Sequence, residues 1–93
     1  MVFFVYILES QSTGRHYIGQ TDNIARRLEE HNDPEHKLSK YTSKQGGPWK
    51  LIYTEEHPSR PAAVKREHWL KSRSGRRWVE SKFGRASPSI LPD

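Results

Sequence analysis

Ninety-three residues, 32% of them hydrophobic, suffice for one domain with a compact core, near the lower size at which a single core stands alone. The absence of cysteine excludes disulfides and thiolate metal sites and fits a reducing, cytoplasmic compartment. The net charge of +5 is unevenly spread: residues 1–59 hold seven Lys/Arg against eight Asp/Glu, residues 60–85 nine against two. A block that basic favours a polyanion in a salt-dependent way, although charge alone is equally met by a solvated helical face.

In chain order, Val2 to Leu8 is β-branched and aromatic and reads as a buried central strand. It is too short to span a bilayer and lacks a basic leader, so no membrane role is expected of it. Gln11-Ser12-Thr13-Gly14 supplies a turn, and Arg15 to Gly19 the return strand. If the connecting loop has an even number of residues, Tyr6 and Tyr17 share one face of the sheet. Thr21-Asp22 is the expected N-cap of a helix running to about Asn32. On that helix Ile24, Leu28 and His31 fall within roughly 60°, with Arg27 beside them and an Arg26–Glu30 pair facing solvent.

Residues 33–48 read as a long polar loop carrying Lys37, Lys40 and Lys44, and a loop of that length in so small a domain points to function. Trp49 to Tyr53 is the third strand. Pro61 opens a second helix through Lys71, and Ser74-Gly75 restarts a third, Arg76 to Phe83, stopped by Gly84. Residues 1–85 are expected to form the single domain and residues 86–93 a loose tail.

Chemistry concentrates at a few positions. With Ala63 at zero on the helical wheel, Glu67 falls near 40° and Leu70 near 340°, which puts a carboxylate inside the apolar stripe. Such a group needs a counter-charge, a proton or a metal. The candidates are a core ion pair, for which Arg27 is available, and a hard cation such as Mg²⁺, which takes one or two carboxylates and fills its shell with water and phosphate. Gly19, between strand and helix, permits close approach of a phosphate or of packed chain. Arg27 offers planar donors that match phosphate oxygens, and His31 one turn on can orient the site or exchange a proton. Trp49 and Trp78 suit the core, while Trp69 on the basic face suits a base or a neighbouring chain. The other histidines have no metal-ligand spacing.

Together these residues resemble the GIY-YIG nuclease superfamily, especially its small stand-alone bacterial members. The resemblance covers about residues 2–83: Phe4-Val5-Tyr6 in the GIY place, Tyr17-Ile18-Gly19, Arg27 with His31, and Glu67 in Ala63-Val64-Lys65-Arg66-Glu67. It implies an α+β fold, a three-stranded antiparallel sheet flanked by helices, which agrees with the elements read above. It also implies single-metal hydrolysis of nucleic-acid phosphodiesters. Glu67 would hold Mg²⁺ or Mn²⁺, Tyr17 would deprotonate water, Tyr6 would position water or phosphate, and Arg27 would stabilise the charge on phosphate. The chain departs from the family pattern at Phe4 and Val5, at Gln20 where the repair branch has lysine, and after Glu67, where several members have asparagine.

The expectation is therefore a metal-dependent endonuclease acting on DNA, directed to structure or single strands, in repair or recombination. Lys40, Lys44, Lys71, Arg73, Arg76 and Arg77 would grip the backbone, giving affinity with little sequence reading. Target choice then falls to DNA structure, the 33–48 loop, a partner protein or a self-dimer. A module of the same shape that binds nucleic acid without turnover is the alternative.

Overall fold

The apolar N-terminal run does form the central strand, because it alone is flanked on both edges and covered on both faces. β1 (Phe3–Ser10) lies between β2 (His16–Thr21) and β3 (Trp49–His57), antiparallel to each, in the order β2-β1-β3. Among the described residues three helices accompany this frame: α1 (Ile24–Asn32) between β2 and β3, and α2 (Arg60–Lys71) and α3 (Arg73–Phe83) after β3. The computed structural model describes residues 2–33 and 48–84. Lys37, Lys40 and Lys44 of the expected loop, and the expected tail, lie outside the described residues.

Boundaries moved where long-range pairing or capping overrode local pattern. The return strand begins at His16, not Arg15, because the Arg15 carbonyl closes the turn on the Ser10 amide at 2.8 Å. Gly14 in that turn has φ +77°, which side chains disfavour. β3 runs four residues beyond the expected Tyr53, since Phe3 to Tyr6 of β1 pair with Thr54 to His57. Asn23, rather than Thr21 or Asp22, caps α1, its Oδ1 accepting the Arg26 amide at 3.0 Å, while Thr21 stays in β2 opposite Phe4. α3 starts at Arg73, three residues earlier than expected, because Ser72 ends α2 and caps α3 through the Gly75 amide at 3.3 Å. Gly75 thus lies inside the first turn of α3, where its missing side chain lets two helices touch.

The sheet separates two cores. On one face Val5, Ile7 and Ile18 pack with Ala63 and Leu70 of α2 and Val79 of α3, and Tyr53, Trp78 and Phe83 close the edge. On the other, Tyr6, Leu8, Tyr17 and Trp49 pack with Ile24 and Leu28 of α1. A β-bulge lets β3 serve both: Ile7 faces Tyr53 and Leu8 faces Leu51, leaving Ile52 as the extra residue.

Glu55 ties β3 to α2. Its carboxylate accepts the Tyr53 hydroxyl at 2.5 Å, His57 Nε2 at 2.9 Å and Arg66 Nε at 2.8 Å. Burial would raise its pKa, but those three donors outweigh it and hold the group below the ordinary carboxylate range. Burial and the Glu55 hydrogen bond push the Tyr53 phenol the other way, above its usual value. Because the folded carboxylate binds its proton less readily than the unfolded one, its stabilisation is complete above the unfolded pKa and is lost on acidification through the folded pKa. The melting temperature should therefore fall as pH drops below about 4.3, and fall less steeply in Glu55→Gln, in thermal scans across that range.

Candidate active site

β1 and β2 deliver two phenols to the α1 face. The turn between Glu9 and His16 has an even number of residues, so Tyr6 pairs with Gly19, and Tyr17, two residues before Gly19, projects to the same side. The ring centroids of Tyr6 and Tyr17 are 6.3 Å apart. His31, in the last turn of α1 and 1% exposed, places Nε2 2.9 Å from the Tyr6 hydroxyl and packs edge-on against Tyr17 with centroids 4.5 Å apart. The end of α1 is pinned by Asn32, whose side chain accepts the Trp49 amide at 2.7 Å and donates to the Trp49 carbonyl at 3.1 Å. This two-point clamp from helix to strand has no local sequence signal, and it holds the residue next to His31.

Gly19 earns its place by sterics, not by backbone angle. A Cβ there would stand 2.6 Å from the Tyr6 hydroxyl oxygen and 3.1 Å from Tyr17 Cε1. Of the two expected partners for Gly19, phosphate or packed chain, the observed neighbour is packed chain: the Tyr6 phenol lies across it.

Arg27 stands one turn before His31 on α1, half-buried, with Nη1 2.9 Å from Glu30 Oε1. Burial opposes its charge, but the Glu30 carboxylate, followed by the Tyr6 and Tyr17 phenols, raises its pKa above that of a free arginine. By the same reciprocity the guanidinium lowers the cost of negative charge on either phenol. Arg26 prefers Asp22 at 2.8 Å to the expected Glu30, which is 3.8 Å away. Beside Arg27 opens a cleft of about 470 Å³ lined by Gln20, Thr21, Asp22, Arg26, Arg27, Glu30 and Arg60. Gln20 Oε1 is buried there with no hydrogen-bond partner, one of two such side-chain atoms among the described residues. Sequence reasoning noted Gln20 only as a missing lysine and gave Arg60 no role, because nothing local shows that the start of α2 folds beside the start of α1.

Glu67 is buried as its wheel position required, 4% exposed between Ala63 and Leu70. It belongs to α2, whose Ala63 and Leu70 pack on the sheet face opposite the two phenols, while the helix also lies against β2, the edge strand that carries Tyr17. Its carboxylate meets Lys71 Nζ at 2.6 Å, whereas Arg27 pairs with Glu30, so the Arg27–Glu67 core pair considered from sequence does not form. Lys71 is correspondingly not a free backbone-gripping cation: it is turned onto Glu67. Arg73, Arg76 and Arg77 are exposed along α3, as a nucleic-acid contact requires. His16, given no role from sequence, is 1% exposed and bonded to Glu9 at 3.3 Å across the β1–β2 pair.

The chemistry of Glu67 fits a hard divalent cation. A carboxylate is the donor type that Mg²⁺ and Mn²⁺ prefer, and the adjoining Lys71, whose side chain is 21% exposed, can turn outward when another cation competes. Among the described residues there is no group of three or more His, Cys, Asp or Glu side chains that could cage a metal, and a cation held at Glu67 would take the rest of its shell from water and substrate.

The order and placement of these residues match a known family. Residues 2–80 fit the model of the GIY-YIG catalytic domain. This chain is a member of the GIY-YIG nuclease superfamily. Among its relatives, a UPF0213 protein of Streptococcus sanguinis is 38% identical over 71 residues, 76% of this chain and 77% of that protein. The human structure-specific endonuclease subunit SLX1 is 33% identical over 78 residues, 82% of this chain but 28% of that longer protein. The solution NMR structure of a UPF0213 protein from Bacillus halodurans superimposes with a TM-score of 0.51 at 30% identity, covering 95% of this chain and 89% of that one. The GIY-YIG assignment therefore agrees with the three-stranded antiparallel sheet and its helices. No helix among the described residues is long and apolar enough to cross a membrane.

Proposed function

We propose that this GIY-YIG domain is a divalent-metal-dependent endonuclease that hydrolyses DNA phosphodiester bonds, acting on branched, flapped or single-stranded DNA in repair or recombination. The observation that carries the reading is the cluster of Tyr6, Tyr17, His31 and Arg27, with Tyr6 bonded to His31 at 2.9 Å and Arg27 poised against both phenols. A plain core would not concentrate a guanidinium and two phenols around a buried histidine. The name of the human relative, a structure-specific endonuclease subunit, supports both the substrate class and the idea of a partner protein.

Each residue has a role that follows from its setting. Tyr6, tethered by His31, positions the attacking water or the phosphate. Tyr17 first releases its own proton to solvent, an ionisation that the Arg27 guanidinium favours, and its phenolate oxygen then takes the proton of the attacking water. Arg27 then stabilises the negative charge that builds on the phosphate oxygens. Glu67 would hold Mg²⁺ or Mn²⁺, which when bound supplies Lewis-acid polarisation of the phosphate and acidifies bound water. Arg73, Arg76 and Arg77 contact backbone phosphates.

One panel tests this. Labelled single-stranded, duplex, flap and branched DNA, with RNA as a control, are incubated with Mg²⁺, Mn²⁺ or EDTA. Wild type should cut at least one DNA substrate with metal and none in EDTA, and Glu67→Ala should bind but not cut. The Lys71–Glu67 contact favours a second reading, a structural ion pair in a binding module. On that reading Glu67→Ala mainly lowers the melting temperature, and wild type binds without cutting in every metal.

A further inference from the structure

Trp69 lies farther out than the other tryptophans, for Trp49 is buried and Trp78 half-buried. It is 39% exposed and, with Val2, is a large apolar residue left at the surface among those described. Its setting is nevertheless firm. The Arg66 guanidinium lies 4.7 Å from the Trp69 ring centroid and 5.1 Å from that of Trp78, and its Nε is held by Glu55 at 2.8 Å. Trp78 packs in turn against Tyr53 and Phe83. Trp69 is thus fixed through a cation layer to the core, and ordering it for a ligand costs little further entropy.

The charge around it has one sign. Lys65, one turn before Trp69, is exposed, as are Arg73, Arg76, Arg77 and Lys82 on α3, against the single exposed carboxylate Glu80 on these two helices. Lys82 also stands 5.2 Å over the Trp78 ring. Phosphate binding alone would need the cations and not the indole.

We infer that Trp69, backed by Arg66, is a stacking platform for an unpaired nucleobase, with the phosphates of that single strand running along Lys65 and the exposed arginines of α3. Every base presents a π face, so the platform is tolerant of sequence; in a duplex those faces are covered by neighbouring base pairs, so it selects single strands. It is a second site: Trp69 follows Glu67 by two residues, about 200° around the helix, and points away from the sheet-facing stripe. The inference rests on the nucleic-acid reading of these helices but not on hydrolysis.

The test uses the full chain in EDTA, titrated with oligothymidylate, with an abasic strand of equal length and with duplex, following indole emission and the anisotropy of labelled DNA. Oligothymidylate should quench the emission, and Trp69→Ala should weaken its binding about tenfold while duplex binding changes less than about twofold. The abasic strand should bind wild type no better than oligothymidylate binds Trp69→Ala. Trp69→Phe should recover part of the loss, with both variants melting near wild type, which separates stacking from unfolding. No quenching, or equal losses on single strand and duplex, overturns the platform. Quenching by protein concentration alone, or by anionic phosphatidylglycerol vesicles but not DNA, overturns it in favour of self-association or a membrane surface. Cutting with Mg²⁺ but no quenching leaves the nuclease reading and removes this one; quenching without cutting does the reverse.

Discussion

Arg27→Ala is expected to slow DNA cleavage about 10²–10³-fold, the usual cost of removing an oriented donor from a developing oxyanion. DNA binding in EDTA and the melting temperature should stay near the wild-type values. The two readouts separate because Glu30, the ion-pair partner of Arg27, keeps a second cation when Arg27 is removed, Arg26 Nε at 3.8 Å. Arg27→Lys should recover part of the rate, since it keeps the charge near the phenols but loses the planar fork that matches phosphate. Comparison of single-turnover rates at saturating metal decides it. Unchanged cleavage in Arg27→Ala would remove the guanidinium from the chemistry and leave it as a helix-end ion pair.

The second large effect is on folding. Gly75→Ala places a Cβ 2.0 Å from the Trp69 carbonyl oxygen and 2.4 Å from Leu70 Cα, both backbone atoms that cannot swing aside. Relief requires α2 and α3 to separate at the Ser72 junction, which withdraws Val79 and Trp78 from the core they share with Leu70. Overpacking of this kind costs about 3 kcal/mol. Alanine would by itself favour a helix interior over glycine by about 1 kcal/mol. The two terms have opposite sign, so the direction of the change is diagnostic. Urea denaturation should show a lower midpoint in Gly75→Ala, and a higher one would mean that the helices do not touch there.

Much of the frame was legible because it rests on local signals. The β-branched and aromatic run of β1, the periodic apolar stripe of α2 and the parity that aligns Tyr6 with Tyr17 all follow from repeat lengths in the chain. Glu67 could be read as buried for the same reason: on the wheel its carboxylate falls between Ala63 and Leu70, inside the apolar stripe. Local signals failed where the deciding partner was remote. Thr54 to His57 carry no strand pattern and become strand because β1 offers them partners. Gly75 reads as the restart just before the third helix and instead lies inside its first turn, at the contact point between helices.

The candidate site divides along the same line. The resemblance to the GIY-YIG pattern nominates Tyr6, Tyr17, Arg27, His31 and Glu67 from the sequence, and the helical or strand repeat tells which face of its own element each occupies. Which group bonds to which is a different matter. That His31 goes to Tyr6, Arg27 to Glu30 and Glu67 to Lys71, and that the Tyr6 phenol overlies Gly19, depends on how strands and helices separated by tens of residues are docked. Periodicity constrains direction about one element's axis and carries no information on distance between elements. Only the packed sheet, with its two cores and the Asn32 clamp, supplies those distances.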